Sequence, residues 1–232
     1  MDLPMIDRRL LLAAGPMLAA AAPGVATAAS PTPAPAPTFA PKPLPFDPKT
    51  VTGLSEKLLV SHHDNNYVGA VTRLGVITKQ FAALDPATAP NFTINGLKRE
   101  ELIAWNSMIL HELYFAGLGA PNRPGAALST ALERDFGSHE RWRAEFSGIG
   151  KALGGGSGWV LLMWSARDRR LVNQWAADHT MTLAGSTPIL ALDMYEHAYA
   201  MDYGSRAAGY VDAVMATLNW STADAVFAKA AS

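Results

Sequence analysis

Cysteine is absent from the 232 residues, so neither a disulfide nor a lipid-modified N-terminal cysteine is available, and stability must come from packing, metal and association. A charge excess is missing too. Nineteen Lys and Arg face 20 Asp and Glu for a formal net charge of −1, so nothing global recommends nucleic acid or an anionic membrane surface as a partner, and any steering of a charged ligand must be local to a site. There is no internal repeat. What is present, 49% apolar residues with 16 Pro and 19 Gly, suits one or two modest globular domains plus a tail that does not fold.

The N-terminus points to a compartment. Arg8-Arg9 precede Leu10-Leu11-Leu12 and an Ala-rich run that ends at Ala26-Thr27-Ala28, the three-part layout of a secretory signal, with twin arginines of the kind read by the pathway that exports folded proteins. The alternative is a membrane anchor, but Gly15, Pro16, Pro23 and Gly24 break the run and make it a poor spanning helix. The expectation is a signal peptide over 1–28, cleaved after Ala28, delivery to the periplasm or beyond, and no stable membrane insertion afterwards. Metal could then be inserted before export. Residues 29–47 are so rich in proline that they read as an extended linker.

Two unequal parts follow, 48–121 and 122–232. In the first, Leu58, Leu59, Val60, Val68, Val71, Leu74, Ile77 and Phe81 recur near helical spacing from Ser55, the candidate N-cap, to about Leu84. A second helix, Lys98 to Ala116, carries Leu102, Trp105, Ile109, Leu110, Leu113 and Phe115 and stops at Gly117. Two helices on a short loop predict an antiparallel hairpin. In the second part, helices near 125–136 and 139–152 precede apolar runs at 159–164 and 171–175 around the turn Ala166-Arg167-Asp168, a strand at 188–192, and helical segments through Tyr210 to Trp220. The class is α+β, with a small antiparallel sheet of about three strands in the C-terminal domain.

The histidines stand at 62, 63, 111, 139, 179 and 197. Asp193 and His197 are four apart, so a helical turn would let carboxylate and imidazole converge, although alone such a pair reads as a solvated ion pair. His62 and His111 are more informative, because each interrupts an apolar helical face where an imidazole must find a partner. Together the four could give one ion three imidazoles and a carboxylate, a set suited to iron, manganese or zinc. His63 and His139 read as surface residues.

The residues then resemble the iron/manganese superoxide dismutase family over nearly all of the chain after the linker. Leu44-Pro45-Phe46 looks like the family's opening segment, Asp193-x-x-Glu196-His197-Ala198-Tyr199 is similar to its last-ligand motif, and Trp105-Asn106, His111-x-x-Tyr114-Phe115, Gly156-Ser157-Gly158-Trp159 and Asn219-Trp220 match further landmarks. The resemblance implies one Fe or Mn ion per subunit on His62, His111, Asp193 and His197, and conversion of superoxide to dioxygen and hydrogen peroxide. It also implies a homodimer with Glu196 at the interface. His179 falls where the family places a residue that tunes the ion through its bound solvent; Ser107 lies where one branch has Gln for that role.

Some positions depart from the pattern. Counting from His62, the family's gateway Tyr falls at Ala70 and its paired His at Asn66, while the Tyr that meets that His across the dimer is Ala200. Tyr67 is the phenol nearest in sequence and is the candidate catalytic residue beside His179, although helical counting turns it to another face. Tyr195 stands where Trp usually walls the site, and Leu161 replaces another family Trp. Two further readings stay open: a non-catalytic metal-binding or scaffold protein that keeps the ligands, and a zinc hydrolase in which Glu112 would serve as base.

Overall fold

The computed structural model describes residues 37–232; the expected leader over 1–28 and the linker up to 36 lie outside the described residues. The α+β class with a three-stranded antiparallel sheet is what the structure has.

The first helix is not continuous. Ser55 caps α1 (Glu56–Ser61) through its hydroxyl, a single π-helical stretch spans His62–Tyr67, and α2 runs over Val68–Ala82. The local cause is Asn65, whose amide donates to the Ser61 carbonyl and hydroxyl at 2.9 and 3.2 Å, so a side chain uses the oxygen that the regular ladder would give to the residue-65 N–H. The wider turn inserts an extra residue where the first histidine sits. α3 spans Asn91–Ala116, starting seven residues ahead of the expected Lys98 behind Pro90, and packs on α2 over Leu74, Ile77 and Ala104.

The second part begins with α4 (Ala126–Phe136) and α5 (His139–Ala152), the latter capped by Ser138. Strands β1 (Trp159–Ser165), β2 (Arg170–Ala176) and β3 (Ser186–Asp193) follow, in the order β2-β1-β3 with both pairings antiparallel. β1 is central and buried at every residue, which explains its unbroken apolar run. β3 is an edge strand, and it tolerates Pro188 where the register with β1 shifts between Leu162 and Met163. The chain closes with α6 (Ala200–Tyr203), α7 (Ala207–Ala216) and α8 (Ser221–Ala231); α5 and α8 cover β1, and α3 and α8 cover β3.

One core joins the two parts, with Trp142, Phe146, Trp159, Tyr114 and Tyr210 fully buried alongside Leu58 and Leu59. The expected linker is part of it from Phe39 onward: Phe39, Leu44 and Phe46 pack against buried residues, and the Phe39 ring meets Trp105 edge-on at 5.6 Å. Proline density predicts extension correctly, but the intervening apolar residues give the extended chain something to bury. Among the described residues no helix is long and apolar enough to cross a membrane.

Candidate metal centre

Four elements bring one donor each to a single point: His62 from the π stretch, His111 from α3, Asp193 from the end of β3, and His197 from a 3₁₀ turn over Glu196–Ala198. Their ligand atoms lie within 4.8 Å of one another. Donors held about 2.0–2.2 Å from an ion are at most about 4.4 Å apart, so the set needs little movement to close on one.

Asp193 Oδ2 is the hub, 3.1 Å from His62 Nε2, 3.2 Å from His197 Nε2 and 3.4 Å from His111 Nε2. The convergence of Asp193 and His197 does not use an α-helical turn, as their spacing suggested. Asp193 ends a strand, the Tyr195 N–H donates to its Oδ1 at 2.8 Å, and the chain then turns into the 3₁₀ segment. The strand end is pinned on both sides, since the Met194 N–H donates to Gly158 O at 2.9 Å and Tyr210 donates to Asp193 O at 2.8 Å.

His111 carries the test of what belongs at the centre. Its Nδ1 lies 2.6 Å from the carbonyl of Ser107, one turn back on α3, so Nδ1 bears the proton and Nε2 is a lone pair. That lone pair is buried, has no hydrogen-bond partner, and faces a carboxylate oxygen. Two acceptors held face to face in a dry interior require a cation. The donor set of three imidazole nitrogens and one carboxylate fits iron or manganese.

Charge is tuned in the same direction. Burial holds His62 below the usual imidazole value and takes His111 down to about 3, so both are neutral ligands near pH 7. For Asp193 burial pushes upward, but hydrogen bonds from His197 and His62 outweigh it and hold the carboxyl below the usual range.

His179 stands beside the four. Its ring is 6.1 Å from that of His111, the Trp159 indole donates to its Nδ1 at 3.0 Å, and Asn106 holds its carbonyl at 2.6 Å. An indole N–H only donates, so neutral His179 carries its proton at Nε2. Ser107, buried, lies 3.3 Å from His111 Nδ1 through its hydroxyl.

Tyr67 is buried but its hydroxyl is engaged elsewhere. It donates to Glu112 at 3.0 Å and accepts from the Lys42 N–H at 2.9 Å, and Phe115 has ring contacts with both Tyr67 and His62. The structure therefore does not bring Tyr67 to the four donors; the π turn sends it to the chain's opening segment. Glu112, the base a zinc hydrolase would need, is held by Tyr67 and Lys42. His63, expected on the surface, is half-buried, with Nε2 2.8 Å from the Lys42 carbonyl and its ring against Tyr67 and Phe115. Sequence reasoning missed this junction because its partner segment read as a spacer.

Comparison with known proteins identifies the family. The family described as iron/manganese superoxide dismutases, C-terminal domain, matches residues 124–226. A superoxide dismutase [Fe] of Cupriavidus metallidurans is 66% identical over 189 residues, covering 82% of this chain and 96% of its own. A superoxide dismutase [Mn] 1 of Halobacterium salinarum is 33% identical, with 82% and 94% covered, and a superoxide dismutase [Fe] of Aquifex pyrophilus is 30% identical, with 79% and 88% covered. The chain belongs to the iron/manganese superoxide dismutase family.

Proposed function

We propose that this chain, a superoxide dismutase that uses iron or manganese, holds one ion per subunit on the Nε2 atoms of His62, His111 and His197 and on Oδ2 of Asp193. The observation that carries the assignment is the buried, unpartnered lone pair of His111 aimed at Asp193. A redox-active ion held there would supply one-electron chemistry between two superoxide ions, which together with two protons become dioxygen and hydrogen peroxide. The chain's own residues do the rest. Burial keeps His62 and His111 neutral, and hydrogen bonds from His197 and His62 keep Asp193 ionised, so these donors present lone pairs suited to a cation. His179 holds a proton at Nε2 beside the site, and Trp159 fixes its tautomer and plane.

The test is metal content and superoxide decay in chains loaded with iron or with manganese. His111→Ala is expected to lose the metal, whereas His179→Ala keeps it with an altered midpoint potential and rate. Equal metal retention in both variants would remove the ligand assignment. The Trp159–His179 bond and the intact donor set favour an active enzyme over a non-catalytic scaffold.

The finer readings are export through the twin-arginine pathway to the periplasm or beyond, and a two-fold dimer with Glu196 at its interface. Arg8-Arg9 and the Ala26-Thr27-Ala28 site support the first, and replacing both arginines by lysine is expected to retain the protein in the cytoplasm on cell fractionation. Glu196, exposed between the buried Met194 and Ala198, supports the second.

A further inference from the structure

Of the four donors, His197 is the one open to solvent, with 27% of its side chain exposed against at most 1% for the others. It is also the donor on the shortest element, a three-residue turn, so it has the least structure of its own to aim it. Yet its Nε2 keeps the same distance to Asp193 as the fully buried His62, within 0.1 Å. Within one chain, a neighbouring side chain must hold the ring.

Tyr195 supplies the contact. It lies half-buried between Asp193 and His197, in extended conformation, with its main-chain N–H on the carboxylate. Its ring sits against two imidazoles in nearly parallel planes: His179 at 4.7 Å and 12°, His197 at 5.4 Å and 14°. Trp159 closes the group edge-on at 6.3 Å while also donating to His179. Among the described residues Tyr195 is the aromatic ring outside the donor set that touches His197, the other two rings on it being His62 and His111.

We propose that Tyr195 is a positioning residue whose ring clamps His197 and His179 in one stack, fixing the exposed donor on the ion and the distance at which His179 stands from it. The flat face does this. Offset stacking sets both the plane and the separation of the neighbouring rings, so a single side chain between them couples the aim of the ligand to the placement of the proton-bearing imidazole. The phenol oxygen is not required. An aromatic ring of either kind, Tyr here or the Trp to which this position corresponds in the family resemblance, supplies the face, whereas a branched apolar side chain of similar bulk does not. The proposal rests on the assignment of His197 as a ligand, and the experiment separates the two.

Full-length chains carrying Tyr195→Phe, Tyr195→Trp and Tyr195→Leu are compared with the parent and with His197→Ala by competition for metal against a chelator. Losing a partner that orients a ligand costs about 10–100-fold in metal affinity, so the Leu variant is expected to fall by that factor while Phe and Trp remain near the parent. The midpoint potential of the metal-loaded Leu variant should also move, since His179 is released with His197; the Phe variant should leave it in place. An independent readout needs neither metal nor variant. In the metal-free parent, the ring protons of His179 and His197 should be displaced upfield by the Tyr195 ring current, and unshifted signals would overturn the stack even if the Leu chain fails to fold. A Leu variant with parental affinity and potential would overturn the clamp. If His197→Ala itself binds as tightly as the parent, the ligand assignment falls instead.

Discussion

An imidazole whose one nitrogen donates to a main-chain carbonyl has no freedom about the other, and this logic fixes His111 as an acceptor before any ion is considered. It also fixes how acid acts on the metal-free chain. His62 and His111 are held below the usual imidazole value of about 6.5, His111 down to about 3, so the unfolded chain binds protons that the folded one refuses. Stability therefore falls as pH drops from about 6.5 toward 3, and Asp193, ionised in the fold where the unfolded carboxyl would protonate, adds to the loss at the acid end. Thermal melts of the metal-free chain over this range should show Tm decreasing monotonically; a flat or rising curve would contradict the buried neutral assignment. The four donors were legible in the sequence because His62 and His111 interrupt apolar helical faces and Asp193 and His197 stand four apart within a family-like motif. Tyr67 was not, since its partners Lys42 and Glu112 are 25 and 45 positions away. With its hydroxyl on Glu112, Tyr67→Phe should cost about 1 kcal/mol of stability and leave the dismutation rate near that of the parent. A large rate loss with unchanged stability would restore it to the catalytic machinery.

Elements carry the precision of the centre, and two of them are irregular, one where periodicity predicts regular helix and one where no period can be read. The π stretch arises from a side-chain bond by Asn65 that no hydrophobic pattern reveals, and the 3₁₀ turn at Glu196–Ala198 lies too close to a strand end for a 3.6-residue repeat to be tested. The early start of α3 was hidden for a simpler reason: Asn91, Asn95 and Gly96 are weak helix formers, and the helix is anchored on α2 only beyond them, where Leu97 and Ala104 pack on Leu74 and Ile77. The helical spans at 126–136 and 139–152, and the β1–β2 hairpin, were readable because glycine, a serine cap and a tight polar turn bound them. Gly158 shows how an element end serves the site. Its φ is +135°, and a Cβ there would fall 2.1 Å from the Ala176 carbonyl, so no other residue fits between β1 and β2. Its own carbonyl receives the Met194 N–H next to Asp193. Gly158→Ala should cost at least about 1–3 kcal/mol through backbone strain alone, lowering Tm by several degrees and loosening metal together with the β3 end. Unchanged melting and metal content would mean that the strand ends adjust without cost.

At the scale of the whole molecule, the described chain closes around its centre with segments that precede the first donor and follow the last. The segment from Phe39 to Phe46 lies on the core, its Lys42 meets Tyr67 and Glu112, and Asp202 beyond the last donor receives the Ser55 N–H and hydroxyl at 2.7 Å each, tying α6 to the cap of the helix that leads to His62. What stays uncovered is the side on which His197 and Glu196 face solvent. A ligand imidazole with more than a quarter of its side chain exposed, preceded in the chain by a carboxylate with no partner of its own among the hydrogen bonds and ion pairs of the described residues, is an arrangement that a second subunit would complete. The family resemblance implies that in such a dimer Glu196 reaches the last ligand of the other subunit, so that each carboxylate would orient an imidazole it does not share a chain with. Sedimentation of the metal-loaded protein should then give twice the mass of one chain, and Glu196→Ala should shift it toward the monomer and weaken metal binding in the same titration, because the interface and the orientation of His197 are lost together. A parent that sediments as a monomer, or a Glu196→Ala chain that is dimeric and binds metal as tightly as the parent, would leave Glu196 as a solvated surface residue and place the burden of aiming His197 on Tyr195 alone.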